Sequence, residues 1–375
     1  MRALRETNLF NMKQIFLFII IALQFSTKTN AQGCVAIRGG GGVCTMQHMD
    51  TTHEKKWQLI TSYRYFKSFR HFVGKEEQVQ RQIDQTEVIN WQHYLNYTFL
   101  HQINNRWSVG LDVPVVVNTR SSLYEHYGNT SKSPNARQQT HSYGLGDMRI
   151  SGYYWLKDTA HSKKGNVRLG VGVKLPTGNY QVQDMFKKND TTLVLGPVDQ
   201  SIQLGDGGLG FTAELNAYYN FNKQFSLYGN FYYLMNPRNH NGVSTARGGV
   251  ASQQTILIGS SVMSVPDQYM LRGGLNFNYK KLTVSGGVRM ECIPVKDLIG
   301  GNYGFRRPGY IISAEPGLNY ESKKITLYAT VPFAIERNRT QSVPDKNRTA
   351  LTGVYYQGDA AFADYSINAG MVISF

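Results

Sequence analysis

The last thirteen residues, Ala363 to Phe375, read ADYSINAGMVISF and decide the fold. Every second position is apolar or aromatic, and the intervening positions are mostly polar or small. Alternation with a period of two is typical of a β-strand with one apolar and one polar face. In a water-soluble protein a long terminal strand of this kind would be an exposed edge. In a closed barrel in lipid it is the closing strand.

The same alternation recurs from Trp57 onward and predicts twelve strands. We place them near residues 57–67, 87–100, 106–118, 143–156, 166–176, 207–220, 224–235, 269–279, 281–292, 309–320, 323–336 and 362–375. An even strand number is the rule for bacterial outer-membrane barrels. A further strand-like run at 255–262 could change the count, which is therefore predicted as about twelve.

The connections between these strands alternate in length. Short ones lie near 102–105, 157–165, 222–223, 280 and 321–322, and long ones near 68–86, 119–142, 177–206, 236–268, 293–308 and 337–361. Short periplasmic turns opposite long extracellular loops are the expected asymmetry of an outer-membrane barrel. The sequence therefore predicts an all-β protein, a transmembrane antiparallel up-and-down β-barrel in the bacterial cell outer membrane, with both ends of the barrel domain on the periplasmic side.

The N-terminal region is predicted to be a targeting segment. A basic start, the apolar run 15–23 and a small-residue site at 29–31 indicate a secretory signal peptide over residues 1–31, with Met12 as an alternative start. Residues 32–56 would then be a periplasmic segment or a plug, and residues 57–375 the barrel. Cys34 and Cys44 are candidates for a disulfide in an oxidising compartment. Cys292 falls on the apolar phase of a strand and is predicted to face lipid.

Charge and composition restrict the partners. The formal net charge is +15, and the signal peptide removes four basic residues and one acid, which leaves +12. A basic exported barrel suits a lipid bilayer with anionic outer-leaflet headgroups rather than nucleic acid. Ligand-type residues between Met46 and His53 fit no standard metal spacing, and no serine–histidine pair stands out. We therefore predict no cofactor, no metal and no enzymatic activity.

The polar phase of the strands identifies candidate lumen residues. Six are cationic and six anionic: Arg64, Arg149, Arg168, Lys174, Arg272 and Arg289 against Asp112, Asp147, Glu214, Glu291, Glu315 and Asp364. A balanced set favours ion pairs across the lumen, whereas a pore selective for one sign of ion would show an excess. Direct contact with a solute is the alternative role. Twelve strands leave room for either a narrow passage or a plugged one.

Two stretches carry a family resemblance. Residues 144–150 read GLGDMRI, residues 172–178 read GVKLPTG, and a glycine-rich stretch LGDGG follows at 204–208. This GLGD…KLPTG pattern resembles the outer-membrane transporter family named for the meta-pathway of phenol degradation, over roughly residues 143–235. The resemblance implies a β-barrel that takes up hydrophobic or aromatic compounds. The segment around Cys34 and Cys44 is not part of the pattern.

Together these features predict passive or facilitated transport of a small, hydrophobic or aromatic solute through a narrow lumen. The alternative is a barrel that does not transport and acts as a receptor, adhesin or assembly component through its long basic loops. The expected partners are the bilayer, the small-molecule solute and the barrel-assembly machinery, which would bind the terminal strand ending at Phe375.

Overall fold

The computed structural model describes residues 32–33, 56–322 and 324–375. Most of the predicted N-terminal regions therefore lie outside the described residues: the signal peptide, the pair Cys34 and Cys44, and the run from Met46 to His53. The two-residue strand Gln32–Gly33 pairs antiparallel with Gly309 and Pro308. No helix in the described part of the chain is long and apolar enough to cross a membrane.

Twelve antiparallel strands form a closed barrel. They are β1 (Trp57–Val73), β2 (Ile89–Gln102), β3 (Trp107–Ser122), β4 (Gln138–Leu145 and Arg149–Trp155), β5 (Gly165–Lys174), β6 (Gly210–Asn220), β7 (Phe225–Met235), β8 (Gln268–Tyr279), β9 (Leu282–Ile293), β10 (Pro308–Glu321), β11 (Ile325–Thr330 and Phe333–Arg339) and β12 (Ala360–Ser374). Each strand pairs with its neighbours in sequence, which confirms the predicted fold class and all twelve predicted strands.

The terminal strand closes the barrel against the first one. β12 pairs with β1 over almost its whole length, with Tyr63 opposite Ala369. At the end of this seam Trp57 and Phe375 exchange two backbone hydrogen bonds of 3.0 and 3.1 Å. Because both long edges are paired with each other, the barrel has no free edge strand that would invite aggregation.

Side chains alternate between the lumen and the outer surface. On β5, Val171 is 69% exposed whereas Arg168, on the opposite face of the same strand, is 7% exposed. On β12 Tyr365 is exposed whereas Asn368 is buried. Successive side chains of a strand point to opposite faces, so the apolar phase covers the outside and the polar phase lines the inside. A closed barrel with an apolar outer face belongs in an outer membrane.

One side chain of the outward phase is not exposed. Cys292 on β9 is fully buried, so the prediction that it faces lipid is wrong. Its partners in register are Tyr269 on β8 and Tyr310 on β10. A small side chain between two large aromatic neighbours is covered by their rings even when it points outward.

The two ends of the barrel differ, as predicted. One end carries the short connections, at residues 103–106, 156–164, 221–224 and 280–281 and between β10 and β11. Asparagine side chains organise two of them: the amide oxygen of Asn104 accepts the N–H groups of Arg106 and Trp107, and Asn222 does the same for residues 224 and 225. Short polar side chains of this type stabilise turns by bonding to the local backbone.

The opposite end carries the long loops, at residues 74–88, 123–137, 175–209, 236–267, 294–307 and 340–359. They contain three short helices, α1 (Gln80–Ile83), α2 (Gln253–Leu257) and α3 (Val343–Thr352), and the hairpins Gln183–Lys187 with Leu193–Pro197 and His240–Ser244 with Val262–Ser264. α3 begins with a capping box between Ser342 and Asp345 and ends at Gly353, whose φ is +69°. These loops are therefore folded elements.

Candidate functional site in the barrel lumen

Five charged side chains from four strands form a network inside the barrel. Arg64 on β1 donates two hydrogen bonds of 2.8 Å to Glu291 on β9, which Arg289 also contacts at 2.9 Å. Arg272 on β8 pairs with Glu315 on β10 at 2.5 Å, and Arg289 lies 3.7 Å from the same carboxylate. Buried charges are tolerated when they are paired, so these residues link the wall across the lumen.

A second group of ion pairs is centred on Arg149 in β4. Its guanidinium contacts Asp112 at 2.7 Å and also bonds to Glu214 on β6. The amide of Asn96 donates to Asp112 at 3.0 Å, and Tyr232 lies with its ring centroid 5.4 Å from the guanidinium carbon. The group combines a cation, two carboxylates and an aromatic face at one level of the lumen.

The remaining predicted lumen residues on the strands lie on either side of these groups. The guanidinium of Arg168 packs over the ring of Tyr153, at 4.5 Å from its centroid. Asp364 near the extracellular end of β12 pairs with Arg70 at 2.8 Å and with Arg337 at 2.6 Å. Whether any of these side chains contacts a solute stays a prediction.

The residues of the GLGD…KLPTG pattern meet in space. Lys174 lies 3.4 Å from the carboxylate of Asp147 and also bonds to Asp206. The same Asp147 carboxylate accepts the backbone N–H of Gly178 at 2.9 Å and that of Asp206 at 3.1 Å. A Cβ on Gly178 would approach the carbonyl oxygen of Leu204 to 2.8 Å, so only glycine fits there. The pattern thus fixes the loop 175–209 to the interruption of β4.

Part of this loop lies across the lumen. We call residues 198–206 the constriction segment; Val198 and Ile202 within it are fully buried. The wall holds it by hydrogen bonds, from Gln92 of β2 to the carbonyl of residue 201 at 2.9 Å and from Asn118 of β3 to the carbonyl of residue 202 at 3.2 Å. A loop of the chain therefore narrows the barrel from the extracellular side.

An ion-pair cluster anchors the constriction segment to three other loops. We call Arg120, Arg247, Arg307, Glu125 and Asp199 the arginine cluster. Arg307 binds Asp199 with two hydrogen bonds of 2.8 Å, and Arg247 binds the same carboxylate at 2.6 Å. Glu125 accepts from Arg120 at 2.9 Å and from Arg247 at 3.0 Å. The cluster thus joins the end of β3 to four extracellular loops.

Both carboxylates of the arginine cluster are held in the ionised form. Burial by itself raises the pKa of Glu125, but the charges of Arg120 and Arg247 outweigh this effect and hold that pKa at about 2. Burial opposes ionisation of Asp199 as well, and the three arginines nevertheless hold its pKa well below the ordinary value. The cluster therefore keeps its charges at any physiological pH.

A cavity of about 180 Å³ lies between the wall and the constriction segment. Six cationic and four anionic side chains line it, together with aromatic and aliphatic groups such as Tyr94, Tyr232 and Leu234. Two of the cations, Arg306 and Arg307, come from the loop between β9 and β10. The lining is therefore amphipathic and carries a small positive excess.

The lumen also presents polar atoms that suit water. In the described part of the chain, Ser151 Oγ, Thr212 Oγ1, Asn216 Nδ2 and Asn230 Oδ1 are buried without a hydrogen-bond partner in the protein. All four belong to inward-facing positions of β4, β6 and β7. Buried polar atoms of this kind are normally satisfied by ordered water, so this part of the interior is built to be hydrated.

Metal and disulfide sites can be considered only for the described residues. Within 56–322 and 324–375, no group of three or more His, Cys, Asp or Glu side chains could hold a metal ion. Cys292 is buried and forms no disulfide with another described residue. The candidate disulfide between Cys34 and Cys44 lies outside the described residues and stays a prediction.

Several site residues were not found by sequence reasoning. Asp199, Glu125, Arg247, Arg306 and Arg307 all lie in loops, where no alternation assigns a side chain to the inside. The available signal is the net positive charge of the chain: because the cations and anions of the strand interiors are equal in number, the excess of cations lies in loops and turns. The net charge predicts neither the ion-pair partners of these residues nor whether their side chains are buried.

Comparison with known proteins supports the fold. No protein-family model matches the chain, and no curated protein matches it in sequence. The structure is similar to that of the COG4313 outer membrane channel from Pseudomonas putida F1, with a TM-score of 0.54 and 10% sequence identity. The similarity covers 86% of this chain and 96% of that one. At this identity the likeness shows a shared fold.

Two further solved structures are more distant. The toluene transporter TodX of Pseudomonas putida has a TM-score of 0.43 at 9% identity, covering 92% of this chain and 96% of that one. A Pseudomonas aeruginosa FadL homologue has a TM-score of 0.41 at 10% identity, covering 92% and 94%. The strand pairing and the apolar outer face define the class of protein as a twelve-stranded outer-membrane β-barrel.

Proposed function

We propose that this barrel lets a small solute cross the outer membrane by passive diffusion through its lumen. The observation that carries the proposal is the amphipathic cavity of about 180 Å³ between the wall and the constriction segment. A few placed polar groups beside aromatic and aliphatic surface are the usual lining of a small-molecule site. A cavity of this size fits a solute of about one aromatic ring, which agrees with the solute class implied by the family resemblance.

The constriction segment makes passage selective in this proposal. Ordinary porin-like diffusion needs an open aqueous channel, and twelve strands with an inserted loop leave only a narrow one. Residues 198–206 are held by hydrogen bonds to the wall and by the ion pairs of two carboxylates, Asp199 and Asp206, so the segment has a charged anchor near each end. We therefore expect a low conductance in the resting state.

The test is reconstitution of the purified barrel. Planar bilayers measure ion conductance, and proteoliposomes measure entry of aromatic, fatty-acid and sugar solutes. Transport predicts small conductance steps and faster entry of at least one small solute than in protein-free liposomes. Absence of conductance together with absence of uptake across all three solute classes would rule the transport function out.

A receptor or adhesin function is the second candidate. Large apolar side chains are exposed on several extracellular loops, among them Leu257, Leu298, Leu351 and Val354. Exposed apolar residues on a surface facing solvent can mark an interaction site. A variant with all four residues changed to serine should lose binding to a partner and keep its conductance if this candidate is right.

We further propose that the terminal strand is the segment read by the barrel-assembly machinery. Phe375 ends the chain at the seam with β1, where Trp57 is its backbone partner. Deleting Phe375 should reduce the amount of folded barrel in the membrane without changing the conductance of the molecules that do fold. Normal membrane levels of the deleted form would exclude a role for this residue.

A further inference from the structure

The arginine cluster is buried and contains more positive than negative charges. Its three guanidinium groups, of Arg120, Arg247 and Arg307, face only two carboxylates. The side chains of Arg120, Glu125 and Asp199 are at most 3% exposed. An uncompensated charge is costly in such surroundings, so the cluster is complementary to one additional anion.

The neighbouring charges do not cancel this excess. Lys188 adds a further ammonium group, which donates to the backbone carbonyl of Glu125 at 2.7 Å. Asp359 is the next carboxylate; it is close enough to interact with the charge of Arg307, but its direct partners are Arg81 at 2.7 Å and His71 at 2.9 Å. Arg306 is balanced by Asp297, at 2.6 Å. The surplus of positive charge therefore stays with the arginine cluster.

One member of the cluster is reachable from the lumen cavity. Arg307 lines the cavity, whereas Arg120, Arg247 and Asp199 do not. Among the cations of the cavity lining, Arg64 and Arg306 each pair with a carboxylate outside the lining, at 2.8 and 2.6 Å. Arg307 differs from them because two further arginines contact its carboxylate partner. Arg307 already binds the carboxylate of Asp199 through two parallel hydrogen bonds. Its guanidinium group can therefore bind the carboxylate of a ligand in the same geometry.

We propose that Arg307 is the recognition residue for the carboxylate of a small organic acid that enters the cavity. In the absence of the acid, the carboxylate of Asp199 binds Arg307. The carboxylate of the incoming acid then shares Arg307 with Asp199 or displaces Asp199 from it. The aromatic and aliphatic lining near Tyr94 and Leu234 accommodates the apolar part of the acid. This inference rests on the proposed transport function and adds the substrate class, a monocarboxylate of about one ring.

Equilibrium binding tests the site independently of transport. The detergent-solubilised barrel is titrated with sodium benzoate and, separately, with benzylammonium chloride, and heat of binding is measured. We expect benzoate to bind at least about tenfold more tightly, because a charge-assisted hydrogen bond contributes about that much in affinity. Equal binding of the two ions, or none by benzoate, would overturn the inference.

Three variants locate the site. R307Q removes the charge and should weaken benzoate binding about tenfold, and R307K should restore part of it. The control is R106Q, because Arg106 is an exposed arginine at the turn end of the barrel and does not line the cavity. The shift of electrophoretic mobility on heating shows whether each variant is folded. If R106Q weakens binding as much as R307Q, the carboxylate is not recognised by Arg307.

Conductance separates the two proposals. Benzoate binding without any ion current or solute uptake would refute the transport function and leave the binding site intact. Ion current with no preference for benzoate in either binding or entry would refute the site and leave transport intact. Loss of the benzoate preference in R307Q with unchanged potassium chloride conductance is the result expected if both are right.

Discussion

Asp199 and Arg307 are 108 positions apart in the chain and bind each other through two parallel hydrogen bonds of 2.8 Å. Asp199 also bonds to Arg247, and it caps the short 3₁₀ turn of the constriction segment by accepting from Ser201. A single carboxylate therefore fixes a loop inside the barrel to two other loops. Such a fully buried carboxylate is expected to control the width of the lumen.

Removing the charge of Asp199 should loosen the constriction segment. Asp199→Asn leaves three arginines with one carboxylate, so the cluster repels itself and the segment loses one of its two charged anchors. We expect single-channel conductance at least about twofold above that of the native barrel, because Asp199 provides the ionic contacts at this end of the segment. Asp190→Asn is the control, since Asp190 lies in the same loop and is exposed. An unchanged conductance in Asp199→Asn would show that the other contacts of the segment suffice.

The arginine cluster should resist moderate acid. A carboxylate with a lowered pKa contributes stability above its ordinary value, 4.5 for Glu125, and loses it as the pH falls through the folded value of about 2. We therefore expect constant conductance from pH 7 to pH 4 and opening only as the pH approaches 2. Conductance steps recorded over this range test the prediction. Opening near pH 5 would mean that other groups hold the constriction segment.

Replacing Arg149 should destabilise the barrel and change its selectivity. Arg149→Ala leaves Asp112 and Glu214 without their cation in a buried site, at a cost of about 3–5 kcal/mol. The temperature at which the barrel unfolds, measured by the shift of its electrophoretic mobility on heating, should therefore be lower than that of the native barrel. Arg106→Ala is the control, because Arg106 is exposed at the turn end. Lower heat stability with unchanged ion selectivity would assign Arg149 a purely structural role.

Glycine at position 178 should be required for assembly of the constriction. Gly178→Ala places a methyl group within 2.8 Å of the carbonyl of Leu204 and 2.9 Å of the backbone of residues 146 and 205. The backbone would have to move, so we expect lower heat stability and higher conductance. Gly152→Ala in β4 is the control, since an added Cβ there meets nothing within 4 Å. Native behaviour of both variants would contradict the close packing.

A charged side chain on the outward face of β5 should destabilise the folded barrel in lipid. Val171 is the most exposed residue of that strand, and Val171→Arg would place a cation in the hydrocarbon at a cost of about 2–4 kcal/mol near the midplane. Folding into lipid vesicles as a function of urea measures this cost. Val250→Arg is the control, because Val250 is 93% exposed in a long extracellular loop. Equal stability of the two variants would mean that Val171 does not face lipid.

Sequence reasoning went furthest where the pattern is local. The alternation at residues 363–375 placed Tyr365 outside and Asn368 inside, and the structure has both there. The prediction for Cys292 was wrong although its phase was right, because burial of an outward side chain depends on its neighbours in other strands. The alternation within one strand decides whether a side chain points inward or outward, whereas its exposure also depends on the side chains of the two neighbouring strands.

For the lumen residues, too, the sequence predicts the local features but not the contacts between distant segments. Residues such as Arg149 and Glu214 could be assigned to the interior from their strands, but their mutual contact could not, because they lie 65 positions apart. The prediction that residues 32–56 form a periplasmic segment or a plug stays a prediction, because most of them lie outside the described residues. Within the described residues, 198–206 lie in the lumen, in a loop that the sequence marks only as long. Nothing in its local composition shows that it turns inward.

The sequence by itself determined the twelve strands, their inward and outward phases, the sides of the long and short connections, and hence a barrel in an outer membrane. These features follow from a two-residue period and from turn residues, which act over a few positions. Only the tertiary structure decided which loop narrows the lumen and that Arg307 meets Asp199. Ion pairs between loops form where closure of the barrel brings distant segments together, and that closure is a property of the whole chain.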